Sequence, residues 1–268
     1  MMRTLKELHT YGVGAVDGEI GQVRDLYVDD EAWVVRYLVV ETGGWLSSKK
    51  VLISPIAIGE PDRVKRLLPV SITKEQVKNC PDFDSEQPVT RQHEMEYSSY
   101  YGYPYYWGGM GYWAGGLYPN MMLSGYGGIP APTVEETEVY NARARAEAAR
   151  DRDRNADPHL RSCAAVKGYH IHASDGDIGH IEDFLVEDAD WGIHYLVVDT
   201  KNWWPGKKVL ISPRSVQGID WNDRLVEINV SRDTVKASPA YEISTLVDPN
   251  YENHFNNYYG GIGPSNRP

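Results

Sequence analysis

Histidine is the residue type whose spacing in this sequence most suggests chemistry. Four of the eight histidines fall close together, at His170, His172, His180 and His194. His170 and His172 share one face of an expected strand, and the Asp175-Gly176 turn would return His180 beside them. Imidazoles so arranged could bind zinc, copper or nickel. The simpler interpretation is a row of exposed strand histidines without a metal.

Other residue patterns give weaker indications of chemistry. Cys80 and Cys163 lie far apart, without metal-type spacing or an evident histidine partner, which predicts free thiols in a reducing cytoplasm. The acidic runs at 29–31 and 187–190 lack the glycine and the oxygen number of a hard-cation loop, which favours solvated hairpin turns. We therefore predict no catalytic residue and no cofactor-binding residue.

The heptapeptide KKVLISP occurs twice, at 49–55 and at 207–213. A phosphate-binding loop would need closely spaced glycines before a helix, and none accompany these lysines. The heptapeptide belongs instead to a long internal repeat. A shift of 158 residues aligns 17–81 with 175–239 without a gap, and 27 of 65 positions are identical. This is a duplicated domain. The four histidines have no histidine counterparts in the first copy.

Within each copy the apolar residues alternate with a period of two, as in half-buried strands. In the first copy, strands are predicted near 11–16, 20–29, 33–41, 49–53 and 65–72. A change of parity between Val23 and Leu26 suggests a bulge, and Thr73 opens a capping box for a short helix. The predicted fold class is all-β, with two tandem small antiparallel β-barrels that each carry a short helical turn.

The predicted domain boundaries follow the repeat. They are a first barrel at 1–82, a linker at 83–160, a second barrel at 161–240 and an extended tail at 241–268. Within the linker, 97–128 is a low-complexity stretch rich in tyrosine and glycine, and 134–154 has the composition of a helical spacer. Three interpretations of the tyrosine-rich stretch stay open: a spacer that packs on the barrels, a self-associating segment, or an interfacial membrane anchor.

Large aromatic side chains are the candidates for binding a partner. Trp45 matches Trp203, with Trp204 beside it, in the loop before KKVLISP. A tryptophan there is either a lid over the barrel end, which we favour, or an anchor for a protein partner. The candidates from the tyrosine-rich stretch are Tyr105, Tyr106 and Trp107.

Charge and hydropathy limit the classes of partner. The formal net charge is −11 and no segment is a basic patch, so direct nucleic-acid binding is not expected. No stretch reaches the roughly 20 apolar residues that cross a bilayer, and peripheral membrane contact is a minor alternative. We expect a cytoplasmic protein whose partner is another protein or a second copy of itself.

Both copies, from DGEIG through VRDLYVDDEAWVVRYLVVETGGWL to KKVLISP, closely resemble the PRC-barrel family. The family takes its name from the photosynthetic reaction centre, whose H subunit has a cytoplasmic domain of this type, and a ribosomal small-subunit maturation factor also carries the barrel. The resemblance covers about 150 of the 268 residues and fits a bacterial subgroup with two tandem barrels. It implies a small β-barrel without a catalytic motif.

The resemblance and the residues together predict a non-enzymatic protein-binding or scaffolding module. Family association links it to photosynthetic or membrane electron-transfer complexes, or to RNA-processing assemblies. The H subunit itself is disfavoured because it has a membrane helix that is not found here, and the maturation factor because it has one barrel behind a different domain. The alternative is a metal-binding or small-ligand-binding protein that uses His170, His172 and His180.

Overall fold

The computed structural model describes most of both copies. The described residues are 1–85, 89–107, 160–200 and 207–242, with 113, 118, 119, 138, 139, 142, 143 and 146. The predicted helix at 134–154 and the predicted tail therefore fall almost entirely outside the described residues. Among the described helices, none has the length and apolar composition needed to cross a membrane.

The first copy and the residues before it form short strands and two short helices. They are β1 (Met2–Thr4), α1 (Leu5–Leu8), β2 (Gly12–Ala15), β3 (Gly18–Asp29), β4 (Val34–Thr42), β5 (Lys50–Ile53), β6 (Leu67–Pro69) and α2 (Lys74–Lys78). The predicted capping box opens α2, where the Gln76 amide donates to the Thr73 hydroxyl at 3.1 Å and the Thr73 amide donates to the Gln76 side chain at 2.8 Å.

The rest of the described chain repeats this order after one additional helix, and with one additional strand before the last strand. The elements are α3 (Arg91–Tyr101), β7 (Leu160–Ser162), α4 (Cys163–Val166), β8 (His170–Ala173), β9 (Gly176–Glu187), β10 (Ile193–Asp199), β11 (Lys208–Ile211), β12 (Val216–Asp220), β13 (Leu225–Ile228) and α5 (Arg232–Ala237). The all-β fold with two related β units is therefore as predicted, although the strand pairs of the described residues do not close either sheet into the predicted barrel.

Each copy forms one sheet around a central long hairpin. The strand order is β5-β4-β3-β2-β6 in the first sheet, where β7 also pairs with β3, and β11-β10-β9-β8-β13-β12 in the second, where β1 also pairs with β9. The prediction of purely antiparallel strands needs one correction. β6 runs parallel to β2, and β13 runs parallel to β8, because the crossover before each of these strands returns the chain in the same direction.

The predicted change of parity in β3 is a bulge. The register between β3 and β4 shifts between Val23 and Asp25, which turns the following residues to the opposite face. Close approach of the two strands nearby requires glycine. A Cβ atom on Gly21 would lie 2.0 Å from the carbonyl oxygen of Glu41, and one on Gly179 would lie 2.0 Å from that of Asp199. Both copies therefore use the same glycine for the same contact.

The lysines of KKVLISP have structural roles. Lys207 Nζ donates to the carbonyl oxygens of Lys236 and Ser238, each at 2.6 Å, at the end of α5. Cations near the last carbonyls of a helix stabilise its end. In the first copy the equivalent Lys49 pairs with Asp82, which follows α2. The heptapeptide thus joins the sheet to the short helix of its own copy.

The range predicted as a linker contains a helix that packs on the first sheet. Helix α3 begins after Thr90, whose hydroxyl accepts from the His93 amide at 3.2 Å, and ends at Gly102 with φ of +68°. Its buried Tyr97 shares an apolar cluster with side chains of the sheet and of flanking segments. The buried members are Tyr27, Tyr37, Val39, Leu52, Val89, Tyr97 and Leu160.

The chain folds as two compact units, each of which combines separate parts of the sequence. The copy-1 unit contains Leu8–Arg161 and Ala189–Trp191. The copy-2 unit contains Met1–Glu7, Ser162–Asp188 and the described residues from Gly192 onward. The boundaries at 82 and 161 stay a prediction about sequence domains. The two compact units do not follow these predicted boundaries, because the segment before the first copy packs with the second copy.

Candidate functional site

The long strand of each sheet is only partly covered by its hairpin partner. β9 has 12 residues, whereas β8 has 4 and pairs only with the stretch from Gly176 to His180. The carboxyl half of β9 would therefore present an open edge, which invites another strand. β1 occupies this edge in antiparallel register, with Arg3 opposite Val186 and Thr4 opposite Leu185. We call Met2–Glu7 the first arm.

Arg3 anchors the first arm through its side chain. Its Nε lies 2.6 Å from Asp188 Oδ1 and its Nη2 lies 2.9 Å from Asp188 Oδ2, so the guanidinium binds both carboxylate oxygens. A third nitrogen, Nη1, lies 2.9 Å from Glu7 Oε1. The Arg3 side chain is only 2% exposed and that of Asp188 is 16% exposed. Such a bidentate pair gives geometric specificity as well as energy.

Asp183 of β9 holds the next part of the first arm. Its carboxylate accepts from the backbone amides of Leu5 at 3.0 Å and Lys6 at 3.4 Å, and from the Phe184 amide at 2.8 Å. The carboxylate thereby satisfies the Leu5 and Lys6 amides at the start of α1, which have no partner within the helix. Burial raises the pKa of Asp183, and the amide donors offset that rise only in part. Met2 and Leu5 of the arm are buried as well.

The first sheet receives an equivalent segment. β7, which precedes the second copy, pairs with β3, and Arg161 Nε lies 3.0 Å from Asp30 Oδ2. We call β7 the second arm. Arg161 is 158 positions after Arg3, and Asp188 is 158 positions after Asp30, so the same ion pair occurs in both units. The copies have therefore exchanged arms, since each sheet is completed by the segment that precedes the other copy.

The sequence interpretation missed this exchange. It described the acidic runs as solvated turns, whereas Asp30 and Asp188 each hold an arginine. One signal was available, because continuing the 158-residue alignment backward pairs Arg3 with Arg161. The excess length of β3 and β9 over their hairpin partners is a second signal.

A cluster of buried ionisable side chains joins α3 to the first sheet. Asp29 Oδ2 accepts from Arg36 Nε at 3.2 Å and from Nη2 at 2.9 Å. Arg91 Nη1 lies 2.9 Å from Glu94 Oε2 and donates to the Tyr106 hydroxyl at 2.9 Å. That hydroxyl in turn donates to Glu94 Oε1. We call these five residues the polar cluster.

The polar cluster shifts the acidity of its members in different directions. Burial raises the pKa of Glu94, although Arg91 and the Tyr106 hydroxyl act against the rise. Burial also raises the pKa of Tyr106 well above its ordinary value, and the neighbouring Glu94 adds to this effect. For Asp29, burial is outweighed by Arg36 and by the amide donors Ala32 and Glu31, so its pKa is lowered. These groups are held inside the unit and stabilise it.

The aromatic candidates from the tyrosine-rich stretch lie inside the copy-1 unit. Tyr105, Tyr106 and Trp107 are 8%, 7% and 8% exposed. The Arg36 guanidinium carbon lies 3.8 Å from the Tyr106 ring centroid, and that of Arg91 lies 4.4 Å from the Trp107 ring centroid. Cation–π contacts of this kind stabilise the packing. In this conformation the three side chains hold the segment on its unit and are not exposed anchors.

Trp45 is partly buried and contacts two elements of the first copy, and its role as a lid or as a partner anchor stays a prediction. Its indole Nε1 donates to the carbonyl oxygen of Ile20 at 2.7 Å, and the Lys74 ammonium lies 4.5 Å from the ring centroid. The ring therefore bridges the start of β3 and the start of α2. Trp203 and Trp204, the candidates of the second copy, lie outside the described residues.

The three candidate metal ligands lie on one hairpin. His170 is opposite His180, as predicted, but a bulge after Ile171 places His172 opposite Asp177. His172 Nδ1 lies 2.7 Å from Asp177 Oδ1. Over the described parts of the chain, no group of three or more His, Cys, Asp and Glu is arranged to hold a metal ion. The metal hypothesis stays a prediction, which metal analysis of untagged protein would decide.

The fold and the arms together define an all-β protein with a duplicated sheet that is completed by exchanged strands. The sequence model of the PRC-barrel domain matches residues 13–77, which run from β2 to α2. The chain therefore contains a PRC-barrel domain, and the resemblance of the first copy to this family is confirmed.

A relative from Deinococcus radiodurans shares part of this sequence. It is described as an uncharacterized protein and is 40% identical over 82 residues, which are 31% of this chain and 28% of that protein. The match thus spans less than a third of either protein, and it supports similarity of a domain rather than of a whole protein.

Proposed function

We propose that the protein is a non-enzymatic, cytoplasmic PRC-barrel module that binds or scaffolds protein partners through the strand edges that its two arms occupy in this structure. One observation carries the proposal: the pairing of β1 with the carboxyl half of β9. There, a short segment that precedes the other copy adds a strand to the sheet, which is a recurring mode of protein recognition. Backbone hydrogen bonds supply affinity, and the Arg3–Asp188 pair supplies specificity.

The ionisable residues support a binding role more than a catalytic one. The carboxylates and guanidinium groups of the polar cluster are paired with one another in the interior of the copy-1 unit. Cys80 and Cys163 are buried and are not joined in a disulfide, and burial raises the pKa of Cys80. A thiol with a raised pKa is a poor nucleophile at neutral pH. Thiols without a disulfide also fit a reducing cytoplasm.

Locking the first arm in place tests the proposal. Thr4 and Leu185 are directly opposite each other, and residues opposite in an antiparallel pair have Cα separations that suit a disulfide. The Thr4→Cys/Leu185→Cys variant should close the β9 edge when oxidised and free it when reduced. The matched control without the two introduced cysteines is Thr4→Ser/Leu185→Ala.

The measurement is affinity recovery of partners from native lysate, quantified by mass spectrometry. We expect the wild type, the control and the reduced variant to recover a common specific partner, and the oxidised variant to lose it at least tenfold. Equal recovery by the oxidised variant would exclude the β9 edge as the binding site. If no specific partner is recovered by any form, the module proposal fails.

A further inference from the structure

We propose that the carboxyl half of β9 accepts the first arm of a second copy of this chain, so that two chains pair by reciprocal arm exchange. This inference rests on the proposed function, because it names a partner for the same strand edge. Its supports are the arm exchange that already occurs between the two copies and the set of docking contacts that the first arm makes.

The first support is that exchange already occurs within the chain. The second sheet is completed by the segment before the first copy, and the first sheet by the segment before the second copy. Both arms have the pattern apolar–Arg–Thr/Ser, as Met2-Arg3-Thr4 and Leu160-Arg161-Ser162. Both acceptors supply an aspartate at the same place of the repeat. Each edge therefore accepts an arm of this pattern, although that arm does not precede its own copy.

The second support is that the first arm carries its own docking contacts. The backbone pairs, the Arg3–Asp188 ion pair and the bonds from the Leu5 and Lys6 amides to Asp183 all come from Met2–Glu7. About 180 residues separate the arm from its acceptor in sequence. The same arm from another molecule could make every one of these contacts, which is the basis of strand exchange between identical chains.

A charge-reversal pair can separate docking within a chain from docking between chains. In the Arg3→Glu chain, the arm faces its own Asp188 with a like charge. In the Asp188→Arg chain, the unchanged Arg3 again meets a like charge. When the two variants are mixed, each arm finds an opposite charge only on the other chain, so attraction selects the exchanged dimer. The double variant Arg3→Glu/Asp188→Arg restores the pair within one chain and is the matched control.

Sedimentation and light scattering measure the outcome. We expect each single variant alone to remain near the chain mass of 30.3 kDa, and the mixture to form a species of twice that mass. The double variant, whose arm and edge are again complementary, should behave as the wild type does, with a dimer fraction that grows with concentration. A mixture that stays at the chain mass, while the double variant is folded, would overturn the proposal. A dimer that the double variant forms and the mixture does not would overturn the assigned role of this ion pair.

A peptide experiment keeps the test decisive if a single variant folds poorly. The probe is a synthetic peptide with the sequence of residues 1–10, added to the full-length Arg3→Glu chain, whose β9 edge is unchanged. We expect the wild-type peptide to raise the melting temperature of this chain and to bind at least tenfold more tightly than the peptide with glutamate at position 3. No rise, or equal binding of both peptides, would refute docking of an arm in trans.

The two proposals can fail separately. The mixing and peptide experiments use purified chains alone, so their failure excludes the second copy as the partner without affecting recovery of another protein from lysate. Conversely, if no partner is recovered from lysate but the mixed variants form a dimer, arm exchange stands as self-association alone.

Discussion

Replacing Arg3 by alanine should destabilise the second copy of the repeat, although Arg3 precedes the first copy in the chain. The structure gives this direction because the guanidinium binds both oxygens of Asp188, at 2.6 and 2.9 Å, and Asp188 follows β9. Loss of the arm anchor would reopen the carboxyl half of β9. Amide hydrogen exchange should therefore accelerate in β9 and β10, while β3 and β4 keep their protection.

The expected size of the effect follows from burial. Removing one partner of a buried ion pair costs about 3–5 kcal/mol, because the remaining charge loses its counter-charge. Arg3 is 2% exposed, but Asp188 is 16% exposed and retains some contact with water. The cost should therefore lie near the lower limit, at about 3 kcal/mol. Urea unfolding followed by a probe in the second copy measures it.

A surface ion pair supplies the control. Arg24 Nε lies 2.7 Å from Glu41 Oε2, but these side chains are 49% and 35% exposed. Arg24→Ala should cost less than about 1 kcal/mol, since water screens exposed pairs. The reasoning is refuted if Arg3→Ala is as mild as Arg24→Ala. It is also refuted if protection is lost first in β3 and β4, because the arm would then serve the first sheet.

The remaining predictions concern the copy-1 unit. Gly21→Ala should cost about 3 kcal/mol because its Cβ would lie 2.0 Å from a carbonyl oxygen of β4, whereas Gly44→Ala, with open space around it, should be nearly neutral in thermal melts. Burial raises the pKa of Glu94 above its ordinary 4.5, so the folded state binds its proton more tightly, and the wild type should lose stability relative to Glu94→Gln as pH rises from about 4.5. Asp29, whose pKa lies below its ordinary 3.8 because Arg36 and amide donors outweigh burial, should show the opposite slope: Asp29→Asn should close its stability gap to the wild type as pH falls through that lowered value. Urea midpoints across the acid range test both signs, and equal slopes would contradict them. Tyr106→Phe should cost about 1.5–3 kcal/mol through loss of its bonds to charged groups, and a loss below about 0.5 kcal/mol would show that the hydroxyl is dispensable.

Local patterns in the sequence predicted the repeated sheets because neighbouring strands are also neighbours in the chain. The alternation of apolar residues predicted β3 and β4, and a change of its parity predicted the bulge near Val23. The capping box at Thr73 predicted α2. Each of these signals depends on residues within a few positions of one another. Their physical cause, the burial of one strand face or the capping of one helix end, is equally local.

Helix α3 was missed because its buried face is not apolar. Glu94 and Ser98 are buried together with Tyr97, so the helix has no continuous apolar stripe. Glu94 can occupy the interior because Arg91 and the Tyr106 hydroxyl bind it. Tyr106 lies 12 positions away in a stretch that composition describes only as low-complexity. Hydrophobic periodicity cannot identify a helix whose buried face is polar and is stabilised by a partner from another segment of the chain.

The sequence pattern also could not predict which strand edge each arm pairs with, because the two arms have nearly the same pattern. Arginine and the acceptor aspartate are common to both copies, so charge does not distinguish the edges. Side-chain volume does. The first arm has Thr4 opposite Leu185, and the residues 158 positions away from these two in the repeat are the smaller Ser162 and the larger Tyr27. Cores tolerate exchanges that conserve total volume and resist those that do not. An arm from a second chain should therefore also select its edge by volume, and the first arm should dock on β9 in preference to β3.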